Sequence, residues 1–450
     1  MALKAVEARE AEAAQALQSG LLTDGVLTIH PTKLRADPAR VVIRPFHLGW
    51  QATNASSSRA GKLVADILSL SEECVAREYD AILSDFSERH WQTERVFDDR
   101  FREVASAVRI PSGISRTRAR LIGAYFCHEY SYAAAALMNP SVVEHPDQSG
   151  LSRGAVRFVM SMRAVGEGHI SSIAFREGII EPNGSFDLWP QPNVATAALL
   201  DKDVPPRHDG TVFIHRHPEN TLSSTVIFPM TDAQRNGLED LRLVRFDHGD
   251  GDFEWIGTYT AYNGRDIRSE LLRTRDFHDF TLGPIQGRAA RNKGMALFPQ
   301  KLGGSYYMLG RQDGKNLYLL SSRRIDRWGN EGVMLLEPRF PWEFIQIGNC
   351  GSPILTDAGW LVLTHGVGAM RKYSLGAILL DRDIPSKVLA RSERPLLSAK
   401  DSDREGYVPN VVYTCGAMMV GSMLFVPYGV SDSAIGFATV PVADLIASLS

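Results

Sequence analysis

Two adjacent carboxylates and an arginine stand together in Gly237-Leu238-Glu239-Asp240-Leu241-Arg242, between a polar run at 231–236 and an alternating apolar segment at 243–246. Carboxyl groups at a strand entrance can give or take a proton, and a guanidinium beside them sets their charge. Neighbours on a strand point to opposite faces, so only one of Glu239 and Asp240 is expected to face a cleft, the other being tied back elsewhere. In isolation the motif reads as a solvated loop with an ion pair. A second candidate, His128-Glu129, lies in a stretch of helical character. No second histidine follows it at metal-ligand spacing, which points to packing or capping.

The elements that must position these groups belong to an ordinary globular chain. Of 450 residues, 44% are hydrophobic and 22% charged, enough for a sizeable core. A formal charge of −3 offers no basic footprint for nucleic acid and no polybasic membrane patch. Cys74, Cys127, Cys350 and Cys415 lie far apart, so they read as reduced thiols, with no metal site and no cofactor expected. The first residues are charged and helical rather than a signal peptide, and no apolar run approaches membrane-spanning length. The expected location is the cytoplasm.

Residues 1–22 read as a polar helix, followed by short strands at 26–29 and 41–46. From 58 to 136 the apolar rhythm is helical, with Ser57 or Ser58 as a first cap, a break at Pro111-Ser112-Gly113 and a last helix at about 115–137. Beyond Asn139 the chain turns all-β and repeats. Strands at 157–163, 255–260, 306–311, 360–365 and 424–428 are each followed by a partner, at 170–175, 267–272, 317–320, 375–380 and 435–440. From the second pair onward the interval is roughly 50 to 65 residues, the size of a propeller blade. The longer first interval leaves room for an excursion at 181–207. The expected fold is an all-β five-bladed β-propeller with an inserted N-terminal α-helical domain. Its divisions are 1–57 with a ring-closing strand near 41–45, the helical insert 58–137, and the propeller 138–450. Tyr259, Tyr262, Trp328 and Trp360 read more readily as packing between blades than as sugar platforms.

From Asn139-Pro140-Ser141-Val142-Val143 through the 237–242 motif, Ala296-Leu297-Phe298-Pro299, Gly351-Ser352-Pro353-Ile354, His365-Gly366, Tyr373-Ser374-Leu375-Gly376 and Val408-Pro409-Asn410 to the segment 428–432, the order and spacing of motifs resemble glycoside hydrolase family 130. These five-bladed propellers act on β-mannosides. The resemblance implies cleavage of a mannose-containing oligosaccharide with inversion, with inorganic phosphate as co-substrate and a sugar 1-phosphate as product. Asp240 matches the general acid, and such a donor is expected to have a raised pKa. Arg163, Lys293 and His365 match the phosphate side. Asn139, Arg242, Tyr262, Arg311, Asn410, Tyr428 and Asp432 match substrate-binding positions.

Two departures matter. Leu241 replaces a proline, and Leu355 stands where phosphorylases generally carry a lysine, a loss that Arg371-Lys372 would offset if they point inward. An inverting hydrolase remains an alternative and needs a second carboxylate, from Glu270, Glu405 or Asp432. A carbohydrate-binding propeller without catalysis is the third reading. The insert, rich in apolar residues, is expected to mediate self-association and to wall one side of the funnel through His128, Glu129 or Tyr132.

Overall fold

A computed structural model of the chain describes residues 22–48, 58–201 and 203–450. The helix expected before residue 22 and the cap at Ser57 lie outside the described residues. Three strands, Leu22–Asp24, Leu27–Arg35 and Val41–Pro45, are followed by four helices, Arg59–Ser69, Glu72–Phe86, Thr93–Ala107 and Arg116–Tyr125. Ser58, Ser71 and Ser115 cap three of them, each hydroxyl accepting from the backbone N–H three residues on. A cap of this kind contributes about 1 kcal/mol. The helices share a core of their own, including Val64, Ile67, Val75, Phe97, Val104, Leu121, Ile122 and Phe126. Arg118, only 6% exposed, fastens them: its guanidinium donates to the Ile67 and Leu70 carbonyls and to Glu72. At Gly123 a Cβ would stand 2.1 Å from the Phe97 carbonyl oxygen, so helix 116–125 crosses helix 93–107 where only glycine fits. The apolar surplus of this segment is therefore spent internally, and it does not by itself require a second chain.

The last helix is shorter than its sequence suggests. It stops at Tyr125, and Cys127–Ser131 is a strand paired with Val41–Pro45. Tyr130 alternates inward there, against Phe228. Ala136–Glu144 is likewise a strand, with both faces buried along most of its length. Tertiary burial outweighs the helical preference of the alanine-rich stretch 133–137.

The strands fall into antiparallel groups that succeed one another along the chain. The first group runs Ala136–Glu144, Val156–Val165, Ser171–Ile180 and Phe186–Leu188. The second is Gly237–Gly249, Asp252–Tyr262, Ile267–Thr274 and Asp279–Pro284, extended by Val212–His215. Gly237 and Ser171 pair side by side, which joins these two groups into one 12-stranded sheet. The third group is Ala296–Leu297, Tyr306–Gly310, Leu317–Ser322 and Val333–Leu336. The fourth is built on Gly359–Val367 and Tyr373–Leu380. The last is built on Met423–Val430 and Ala434–Pro441, to which Leu27–Arg35 adds itself.

This closing strand is a correction. Val41–Pro45 was expected to pair with the end of the chain, but Leu27–Arg35 does so, with Thr28 opposite Thr439 and Ile29 opposite Ala438. Pro31 cannot donate to a ladder; a register shift between His30 and Leu34 accommodates it.

Cores lie between successive groups: Phe175 with Trp255, Phe246 with Trp328, Leu309 with Trp360, Leu361 with Leu424, and Phe158 with Phe425. The last of these joins the final group to the first. Tyr259, Trp328 and Trp360 are buried in this packing. Among the described residues no helix is long and apolar enough to cross a membrane.

Candidate active site

Inner strands of different groups bring their ends together around a cavity of about 180 Å³. Its lining includes Asn139, Arg163, Asp240, Arg242, Lys293, Arg311, Asn349, His365, Arg371, Tyr373, Tyr413 and Asp432.

Asp240 enters through a β-bulge. The register of Gly237–Gly249 against its neighbour shifts between Glu239 and Arg242, and Asp240 has φ +57°. Asn139 repeats the device in the first group, with a shift between Met138 and Ser141 and φ +50°. Aspartate and asparagine are the non-glycine residues that best tolerate this left-handed conformation. The two bulged side chains meet, Asn139 Nδ2 donating to Asp240 Oδ1 at 2.7 Å.

Of the two carboxylates only Asp240 lines the cavity, as the alternation predicts, and Glu239 is tied back, but the bulge brings it closer to Asp240 than a regular strand would. Both carboxylates converge on one guanidinium. Arg163 donates through Nη2 to Glu239 at 2.8 Å and reaches Asp240 through Nη1 at 3.4 Å, while its Nε donates to Ser171. Lys293 Nζ holds the other Glu239 oxygen at 2.6 Å. Glu239, which sequence reasoning did not assign to the site, thus sets the positions of both cations.

Burial alone would raise the Asp240 pKa. Arg163, the Asn139 hydrogen bond, Lys293 and Arg242 outweigh it and hold the carboxyl below the usual range. The raised value expected of a proton donor is therefore not produced by the protein's own groups. Asp432, at φ +47°, behaves oppositely: burial and then Asp240 push it from 3.8 up to about 6, against Arg163 and Arg371.

The opposite wall is a packed polar cluster. Arg242 is 3% exposed and donates to the Asn349 carbonyl at 2.8 Å and to the Tyr413 hydroxyl at 2.5 Å. His365 stacks on Tyr373 and meets Tyr413 edge-on. Burial, then Arg311 and Arg242, push its pKa well below the ordinary value, so the imidazole is neutral. Arg311 Nη1 stands 3.4 Å from His365 Nε2, which must accept, leaving the ring proton on Nδ1 facing Cys350 Sγ. Arg311 Nε, Asn349 Nδ2 and Asn139 Oδ1 are buried without a partner. Among the described residues Arg311 and Arg371 form no ion pair. Gly348 makes room for this wall, since a Cβ there would lie 2.5 Å from His365 Cε1. Gly348→Ala is expected to displace the imidazole and cut activity, at a stability cost of about 1–3 kcal/mol. Activity assays beside urea melts would check it; unchanged turnover would remove His365 from the site.

Asp432 supplies a second expected result. Its folded pKa lies above its unfolded one, so the folded chain keeps this proton longer as pH rises. Stability then falls between about pH 4 and about pH 6 and stays lower above, by at most roughly 3 kcal/mol. Asp432→Asn should raise the denaturation midpoint at pH 7 and leave it unchanged below pH 4. Equal shifts at both pH values would contradict the assignment.

Several sequence-predicted residues are not brought to the cavity. Tyr262 donates to the Gly264 carbonyl and, like Asn410 and Tyr428, does not line it. The Asn410 carbonyl instead accepts from the Tyr373 N–H. Glu270 is buried elsewhere, bonded to Tyr259, Gln234 and Arg268, and Glu405 is exposed. Leu355 packs in the apolar layer near Trp360. Arg371 does line the cavity, whereas Lys372 does not. Glu129 is tied to His90 and Arg89, and the Tyr132 hydroxyl accepts from Arg40; with His128, none lines the cavity. Asn349, Tyr373 and Tyr413 were missed as site residues. Of these only Tyr373 stood in a motif.

Known proteins resemble this chain in sequence and in fold. Residues 209–450 match the model of glycoside hydrolase family 130, described as beta-1,4-mannooligosaccharide phosphorylase. The chain is 33% identical over 229 residues to a 1,2-beta-oligomannan phosphorylase of Thermoanaerobacter sp. (strain X514), covering 50% of this chain and 75% of that protein. It is 29% identical over 231 residues to a beta-1,2-mannobiose phosphorylase of Listeria innocua, covering 50% of this chain and 63% of that one. A solved structure superposes with TM-score 0.50 at 19% identity, over 69% of this chain and 86% of its own. It comes from the family-130 mannoside phosphorylases, described there as containing glycoside hydrolases that target beta-1,2 mannosidic linkages in Candida mannan. With more than half of its length under the family model, the chain belongs to glycoside hydrolase family 130.

Proposed function

We propose that this chain is an inverting β-mannoside phosphorylase on a five-bladed propeller. The blade count rests on the apolar cores between successive strand groups, the last returning to the first. Cross-links between inner strands agree: Leu243 N–H donates to Ser141 Oγ, and Cys415 N–H to the Pro140 carbonyl.

The observation that carries the activity is the charge of the cavity. Arg163, Arg242, Lys293, Arg311 and Arg371 line it against two carboxylates, Asp240 and Asp432. A surplus of guanidinium groups, with buried donors unused on Arg311 and Asn349, suits a phosphate dianion. In this reading phosphate lies among Arg311, Asn349 and the neutral His365, within the field of Arg163 and Lys293. It attacks the anomeric carbon from the face opposite the leaving sugar. Asp240 gives its proton to the glycosidic oxygen as that carbon–oxygen bond breaks, and a sugar 1-phosphate of inverted configuration forms. The dianion also answers the low pKa of Asp240. By neutralising the cations that depress it, bound phosphate leaves burial as the dominant influence, and burial favours the protonated acid.

β-1,2-Mannobiose is the first substrate to try, given the relatives' activities. The expected result is mannose 1-phosphate released in proportion to substrate lost, with no cleavage when phosphate is omitted. Equal rates with and without phosphate would reject the proposal and favour hydrolysis. The observation behind that second reading is Asp432, a second cavity carboxylate whose pKa of about 6 leaves it ionised at neutral pH as a base for water. Under hydrolysis Asp432→Asn would abolish phosphate-independent release. The expected cytoplasmic location fits phosphorolysis, because phosphate is available there and the product is retained.

A further inference from the structure

Arg40 and Arg176 border one cavity, which shares no lining residue with the catalytic one, and both are left short of partners. Arg176 sits in the strand Ser171–Ile180 and is 8% exposed. Its Nη1 donates to Gln191 Oε1 and its Nη2 to the Trp189 carbonyl. Arg40 donates through Nη1 to the Pro192 carbonyl and through Nε to the Tyr132 hydroxyl. Every one of these acceptors is neutral. Arg40 Nη2 and Arg176 Nε are buried with no partner at all. Among the described residues neither guanidinium forms an ion pair. Burial and then the Arg40 charge lower the Arg176 pKa, so the two cations are close enough to repel.

Both border a chamber of about 40 Å³ whose other walls include Leu34, Leu137, Met162 and Ala174. One carboxylate borders it, Asp37, which is exposed and accepts from the Ala39 N–H. A guanidinium does not escape burial by losing its proton. A buried guanidinium, Arg176, beside the half-buried Arg40 without compensation is costly, and water would satisfy the idle N–H groups without cancelling the charge. The chamber exceeds the roughly 10–15 Å³ that one water needs. What fits it is small, negative and rich in acceptor sites.

We propose that Arg40 and Arg176 form a second anion site, apart from the catalytic cavity, that takes a small inorganic anion, chloride or orthophosphate. Its position gives it a structural consequence. Arg40 precedes the strand Val41–Pro45, Tyr132 follows that strand's partner, and Gln191 and Pro192 belong to the excursion after the first strand group. The first two are already joined by the ladder of Val41–Pro45 with Cys127–Ser131 and by Asp37 N–H to the Ala133 carbonyl and Tyr132 N–H to the Arg40 carbonyl, whereas Arg40 reaches the excursion through its side chain, at Pro192. An anion held between the guanidiniums pins the stem of the helical segment to the sheets.

The test is thermal unfolding of the full chain in sodium gluconate, chloride, bromide and phosphate at matched ionic strength, with wild type beside Arg176→Gln. The expected result is a saturable rise in Tm over gluconate that the variant loses. A rise in both halides that the variant loses marks a chloride site; phosphate at the catalytic cavity raises Tm in both proteins, so only a part of the phosphate rise that the variant loses marks an oxyanion site. Should the variant fail to fold, wild-type crystals soaked in bromide or phosphate decide the question by position. Anomalous signal or tetrahedral density between Arg40 Nη2 and Arg176 Nε supports the site. Only water density there, or the same salt response in wild type and variant, overturns it.

Discussion

Asp240→Asn is expected to lower kcat by about 10²–10⁴-fold, the usual contribution of a positioned acid, while oligosaccharide binding survives. Asparagine is the right replacement because the position has φ +57°, which it tolerates almost as well as aspartate. Its carbonyl oxygen can still accept from Asn139 Nδ2, so the bulge keeps its cross-link. Alanine would confound the result, since a left-handed alanine costs about 1–2 kcal/mol by itself. The measurement is initial-rate release of sugar 1-phosphate beside calorimetric binding of the oligosaccharide. The loss should ease for substrates with an activated leaving group such as an aryl mannoside, because protonation then matters less. If the variant turns over unactivated mannobiose at the wild-type rate, Asp240 is not the acid. If it neither turns over nor binds, its role is in holding substrate.

How much of this could be read beforehand differs between elements for identifiable reasons. The strand pairs at 157–175 and 360–380 were legible because their middle strands are buried on both faces and read as dense apolar runs. The convergence of Glu239 and Asp240 on Arg163 was not, because a bulge leaves no periodic trace. Pro31 cut the closing strand short in sequence to 26–29, and the closing role went to 41–45, since a proline demotes a strand unless a register shift absorbs it. Glu270 looked available in sequence, yet it is consumed by Tyr259, Gln234 and Arg268. Tyr413 and Asn349 sit on short segments without periodicity, and only the distant Arg242 reveals them. The apolar residues of helices 59–125 were visible, but not that they satisfy one another.

Arg163→Met should be the more damaging change to the protein as a whole. Burial disfavours the Arg163 charge, yet Asp240, Glu239 and Asp432 together raise its pKa, so the cation is held by carboxylates on more than one side. Removing it leaves Glu239 with Lys293 alone and deprives Asp240 of its strongest cationic neighbour. Breaking one side of a fully buried pair costs about 3–5 kcal/mol when the remaining charge has no other partner; with Lys293 still on Glu239 and Asn139 still on Asp240, a smaller loss is expected. Catalysis should suffer as well. Without Arg163 the field that draws phosphate weakens, and loss of one preorganised charge typically lowers kcat by about 10²–10³-fold. Arg163→Lys separates the two effects, since it restores a charge but not the fork that reaches Glu239, Asp240 and Ser171 together. It should recover part of the stability and less of the rate. Urea melts and phosphate-dependent initial rates on both variants provide the check. A methionine variant as stable as wild type would mean that the carboxylates are protonated or rearranged, and the charge assignment built on Arg163 would fail with it.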